Sequence, residues 1–184
     1  LCVMKNLIIH PFDESTQFLD IVYQGLEDKT VITGGVTKSE LMNLMREHDR
    51  IMMMGHGSPA GLFSVGQFPE QRGYIIDQTF VPILKEKDDS VYIWCNADMF
   101  VNTFKLKGFY SGMFISEVGE ALYCGLPATP QEEVDESNFG FVNIIGKYIN
   151  EPKDLIYENV MTEYGVLAEN NRVASYNHKR LYKA

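Results

Sequence analysis

The feature that most constrains this chain is a succession of short, unbroken apolar runs, each stopped abruptly. Asn6 to His10 (NLIIH) meets Pro11, Thr30 to Thr33 (TVIT) meets Gly34-Gly35, Arg50 to Met54 (RIMMM) meets Gly55, and Ser90 to Trp94 (SVYIW) meets Cys95. Gly112 to Ser116 (GMFIS) reads as a fifth run of the same kind. A strand with one wet face alternates apolar and polar residues; a continuous apolar run needs cover on both faces. Helical spacings lie between the runs. Ser15 or Thr16 can cap a helix carrying Phe18, Leu19, Val22 and Tyr23, and Thr37 or Ser39 one carrying Leu41, Leu44 and Met45, with His48 near its end. Two more helices are expected at about 134–149 and 152–168. The pattern predicts an α/β fold: a three-layer αβα sandwich around a mostly parallel sheet of about six strands. Two segments depart from the alternation. Gly61 to Asp77 (GLFSVGQFPEQRGYIID) reads as a small β-hairpin beside the third strand, and Arg172 to Tyr176 as a last edge strand. No repeat or linker divides the chain, so residues 1–184 form one domain, long enough to bury a full core.

Composition narrows the functions. The 16 Lys+Arg against 25 Asp+Glu leave a net charge of −9, which argues against nucleic acid and anionic membrane surfaces, since both require clustered cations. The acidic run Glu132, Glu133, Asp135 and Glu136 reads as a solvated helix entry that suits the positive end of the helix dipole. No apolar run approaches the roughly 18 residues of a membrane span. The opening Leu-Cys-Val-Met-Lys carries no apolar core of a signal peptide, so a cytoplasmic, reducing location is the expectation. The three cysteines, Cys2, Cys95 and Cys124, make neither a disulfide framework nor a C-x-x-C zinc pair, and no metal or cofactor is expected. There is no G-x-x-x-x-G-K-[ST] phosphate loop.

Chemistry gathers where parallel strands end. In an open α/β sheet, ligands bind outside the carboxyl ends of the strands. His56 follows the third run in GHGSPAGLF, and Cys95 follows the fourth in YIWCNADMF. Neighbouring strands would bring both to one rim. A thiolate is the nucleophile and an imidazole can take or return its proton. The backbone N–H groups of Gly57 and Cys95 are candidates for holding a developing oxyanion. Each residue alone has a duller reading, as a structural histidine or a packed thiol; the joint placement is what points to acyl transfer.

Those residues resemble the caspase-like (caspase–hemoglobinase, clan CD) cysteine peptidases, in which a His-Gly follows the third strand and the nucleophilic Cys the fourth. GHGSPAGL is similar to the SHG-S-P-x-G-L phrase of some bacterial members, and the Met99-Phe100 of CNADMF to a Met-Phe in legumain-like members. The likeness covers the order of elements over roughly residues 5–125. It implies a Cys95–His56 dyad hydrolysing a peptide or protein substrate, with Gly112 to Ser116 and then Glu117 standing where the family places its fifth strand and a substrate-binding loop. One position departs: active members carry a polar or acidic residue two before the nucleophile, and here it is Ile93. Asp13, Asp98 and Glu117 are the candidate acids for a basic P1 side chain, by charge complementarity. Each also reads as a surface or capping carboxylate, Asp13 as the cap of the helix near Ser15. Two alternatives stay open: a catalytically inactive interaction domain of the same fold, and a flavodoxin-like nucleotide or flavin binder. The latter is disfavoured by the two acids of Asp13-Glu14-Ser15-Thr16 in the loop where phosphate would sit.

Overall fold

The computed structural model describes residues 4–70 and 72–184, so Cys2 lies outside the described residues. Among the described residues, nine strands and eight α-helices follow one another. The strands are β1 (Asn6–Ile9), β2 (Lys29–Ile32), β3 (Arg50–Met54), β4 (Gly57–Ser58), β5 (Gly61–Phe63), β6 (Tyr74–Ile76), β7 (Ser90–Ile93), β8 (Gly108–Ser111) and β9 (Leu181–Lys183). The helices are α1 (Asp20–Tyr23), α2 (Lys38–Glu47), α3 (Val81–Leu84), α4 (Ala97–Phe104), α5 (Val118–Tyr123), α6 (Gln131–Tyr148), α7 (Lys153–Ala168) and α8 (Arg172–His178). The main sheet has the order β2-β1-β3-β7-β8-β9. Its first five strands run parallel, and β9 returns antiparallel to β8.

The apolar runs are continuous because successive residues serve opposite layers. Leu7, Ile9, Ile51, Met53, Tyr92 and Trp94 pack on one side with Leu41 and Met45 of α2 and Phe100 of α4. Ile8, Met52, Met54, Val91 and Ile93 pack on the other with Phe141 and Ile145 of α6 and Val160 of α7. The molecule is thus an α/β sandwich of helices, mostly parallel sheet and helices. At the start of β3, Arg50 is 1% exposed. Its guanidinium donates to Asn6 Oδ1 at 2.8 Å, to the Glu151 carbonyl at 2.8 Å and to the Ile149 carbonyl. It therefore ties two strands to the end of α6, and hydrogen bonds satisfy the buried charge.

Two expectations are corrected. The fifth strand is Gly108–Ser111, and residues 112–116 leave the sheet. Their apolar side chains are buried in the helical layer instead, with Phe114 stacked on Phe141 at 4.7 Å. The Asn177 side chain accepts from the Ile115 N–H at 2.7 Å and donates to its carbonyl at 2.9 Å, replacing a partner strand. Residues 172–176 belong to α8: the Asn171 side chain caps it by accepting from the Ala174 N–H. The closing edge strand lies further on, at β9.

The Gly61–Asp77 segment does form a hairpin, β5 with β6, and β4 joins it in a three-stranded antiparallel sheet. This small sheet begins directly after His56. Among the described residues, no helix is long and apolar enough to cross a membrane.

Candidate active site at the sheet rim

The strand order places the site. The chain goes from β1 outward to β2 and then crosses back to β3 on the other side of β1. Crevices at such reversals lie at the carboxyl ends of the flanking strands. The segment after β1 supplies Asp13 and Ser15, and the segment after β3 supplies His56. The next strand, β7, supplies Cys95. Met54 and Ile93 are register partners in the β3–β7 pair, so His56 and Cys95 each stand two residues beyond one matched position. Both line one small cavity of about 30 Å³, with Thr16, Phe18, Gly55, Trp94, Phe114 and Ser116 among its walls. That space is small against the roughly 300 Å³ or more of a typical ligand site, so the rim as it stands offers a substrate side chain little room.

Behind His56, outside the cavity lining, lies a chain of polar contacts. Asp13 caps the 3-10 turn Glu14–Leu19, accepting from the Ser15 N–H at 2.9 Å and from the Ser15 hydroxyl at 2.5 Å. The cap is thus Asp13, rather than Ser15 or Thr16. The Ser15 oxygen also lies 2.7 Å from His56 Nε2, and Asp13 Oδ1 lies 3.6 Å from the same nitrogen. A hydroxyl has one proton; Ser15 gives it to Asp13, so His56 Nε2 carries a hydrogen and donates to Ser15. A neutral His56 ring then keeps its lone pair on Nδ1. The hydrogen bond from the Ser15 hydroxyl, with its amide and His56 adding to it, holds the Asp13 carboxyl below the usual aspartate value.

The cysteine side is mostly apolar, with Cys95 itself partly exposed. Asn96, left-handed at φ 65°, turns the chain sharply from β7 into α4, with Cys95 at the bend. The sulfur lies 3.3 Å from the Phe114 carbonyl and 3.6 Å from Glu120 Oε2, and its single proton serves one of these two acceptors at a time. The other Glu120 oxygen accepts from the Ser116 N–H at 3.0 Å and the Ser116 hydroxyl at 2.9 Å, which fixes the carboxylate against the sulfur. Burial first, and the Glu120 charge second, push the Cys95 thiol up to about 12. Among the described residues Cys95 and His56 share the cavity but no hydrogen bond.

The glycine has two duties. A Cβ on Gly57 would stand 2.2 Å from Trp94 Cδ1 and 2.6 Å from the Gly61 carbonyl oxygen, so only glycine fits between them. The Trp94 indole N–H donates to the Ser58 carbonyl at 2.9 Å and docks the small sheet on the rim. The His56 carbonyl accepts from the Phe63 N–H at 2.8 Å, which makes the adjacent Gly57–Leu62 pair a non-hydrogen-bonded one. The Gly57 N–H therefore faces away from β5.

The remaining expected acids are not brought together. Asp98 lies in the first turn of α4 with one carboxylate oxygen buried and unpartnered. Glu117 is the exposed residue before α5. Neither lines the cavity, and nor does Asp13, whereas Ile93 does. Two residues with direct contacts to the pair escaped the sequence reading. Ser15 was visible only as a possible cap. Glu120 follows Ser116 by four residues, a spacing that carries no recognisable signal. No cluster of three or more His, Cys, Asp or Glu that could hold a metal occurs among the described residues. Compared with known proteins, the sequence matches no protein-family model and no curated protein.

Proposed function

We propose that the chain is a cysteine peptidase of the caspase-like type, held here in a resting form. The observation that carries the reading is the matched placement of His56 and Cys95, two residues past a register pair on adjacent parallel strands and facing one cavity. In the working form the Cys95 proton passes to His56 and the sulfur attacks the scissile carbonyl. The carbonyl oxygen takes the electron pair, with the outward Gly57 N–H as a donor to it. The C–N bond then breaks, and His56 returns the proton to the leaving amine. Water hydrolyses the thioester and regenerates the thiol. Asp13, beside the imidazole, favours a substrate with a basic side chain.

The resting features fit a form that precedes catalysis. The cavity is narrow, and the thiol sits against a carboxylate that opposes its ionisation. Substrate entry would have to part Glu120 from Cys95. That same contact favours a second reading, a non-catalytic interaction domain in which Cys95 is simply a packed thiol. Fluorogenic peptides varied at P1 separate the two when run with the parent, Cys95→Ala and His56→Ala. The peptidase reading expects cleavage, fastest after Lys or Arg, and a loss of about 10³-fold or more in either variant. Equal rates in parent and Cys95→Ala, or no cleavage of any peptide, would overturn it; the latter result leaves the interaction domain.

A further inference from the structure

A second concavity, which shares no lining residue with the rim cavity although its Tyr176 is near enough to feel the Cys95 charge, lies at the corner where α7 gives way to α8. It holds about 620 Å³, the size of a small-molecule site, against about 30 Å³ at the rim. Its charge runs against that of the chain. Arg172, Lys179 and Arg180 line it and Glu169 is its one acid, in a protein of net charge −9.

The cations differ in how they are held. Arg172 is partly spent on Glu133, at 3.4 Å. Lys179 is exposed, and among the described residues its ammonium has no ion pair or hydrogen bond. Arg180 stacks 3.5 Å from the centre of the Tyr176 ring and donates through Nη1 to the Tyr176 carbonyl at 2.8 Å. It too has no carboxylate partner among the described residues. Its remaining N–H groups are thus fixed in direction before any ligand arrives, which lowers the ordering cost of binding. The Ser175 hydroxyl, on the same wall, is engaged by no side chain or backbone group among the described residues.

We propose that this cavity binds a small molecule carrying a phosphomonoester, of about nucleotide size. A monoanionic carboxylate is satisfied by one arginine fork. Two unneutralised cations, a third half-neutralised one and a free hydroxyl match a dianion with three acceptor oxygens. The volume beyond the charged group leaves room for a ring system beside Tyr176 and Arg180. The site does not depend on the peptidase reading and stands or falls separately.

Calorimetric titration of the full chain with adenosine monophosphate, inorganic phosphate, adenosine and citrate tests it. The monophosphate is expected to bind with a Kd below about 1 mM, inorganic phosphate more weakly, and adenosine and citrate not measurably. Lys179→Glu and Arg180→Gln should each weaken the monophosphate about tenfold or more, as loss of a charge-assisted contact does. Lys107→Glu, elsewhere on the surface, should leave it unchanged. Thermal unfolding without ligand confirms that the variants are folded. Adenosine or citrate binding as tightly as the monophosphate, parent-like binding by both cavity variants, or no binding of either phosphate probe overturns the proposal.

Discussion

The two sides of the rim cavity are built from opposite materials. On the histidine side, Asp13, Ser15 and His56 form a chain of polar contacts, all half-exposed, on segments that follow β1 and β3. On the cysteine side, the partly exposed thiol shares its cavity with Phe114, Ile93 and Trp94 and meets a fixed carboxylate. The polar side holds its proton donors and acceptors ready. The apolar side suppresses the thiolate. A site can therefore have its parts at the right ends of the right strands and still be chemically silent until one wall shifts.

Three changes would sharpen or break that contrast. The largest effect is expected at the junction of the sides. Gly57→Ala drives a methyl into Trp94 and the Gly61 carbonyl, and should cost about 1–3 kcal/mol in urea unfolding. An unchanged midpoint would mean the small sheet is not seated on Trp94 as described. Next comes the cysteine side. With its thiol near 12, the parent should react with iodoacetamide about tenfold faster per pH unit from pH 7 to 10, without a plateau. Glu120→Gln removes a negative charge beside the sulfur, and so favours the thiolate; labelling at pH 8 should rise about tenfold, equivalent to one pKa unit. A plateau near pH 8.5 in the parent would erase the contrast.

The smallest effect belongs to the histidine side. Ser15→Ala keeps the backbone cap from Asp13 but loses the hydroxyl bridge, at a cost of about 1 kcal/mol at neutral pH. The sign of its pH dependence follows from Asp13. Its folded-state pKa lies below the ordinary 3.8, chiefly through the Ser15 hydroxyl, so the stabilisation is present above that value and fades as pH falls through the depressed one. Parent and Ser15→Ala should therefore converge in urea midpoint when compared at pH 7 and then below about 4. A gap that persists or widens in acid would place the effect elsewhere.

The legible parts of the molecule are those set by short-range rules. Four parallel strands appear within about a residue of where the apolar runs place them; burial on both faces leaves that signature in β1, β3 and β7, whereas the edge strand β2 is only partly buried. His56 and Cys95 are legible for a related reason: a reactive residue just past such a run lands on the rim. The fifth apolar run misleads because Phe114 and Ile115 are as apolar as any strand residue, yet Asn177, distant in sequence, takes both backbone groups of Ile115. The helix at Arg172 was missed because its Asn171 cap outweighs the strand-like mixture that follows it. Ser15 and Glu120 acquire their contacts only through folding, across separations of 41 and 25 residues.

Arg50 has a consequence for how such a molecule can change over time. It stands at the amino end of β3, opposite the rim, and fastens β1, β3 and the end of α6 through one guanidinium. The register of the sheet is thereby set from below. The segments above it are free to lengthen, shorten or swap their side chains, since lengthening a surface loop costs little. Novelty in descendants of this chain should accumulate at one pole, while substitutions at the other are selected against as a unit.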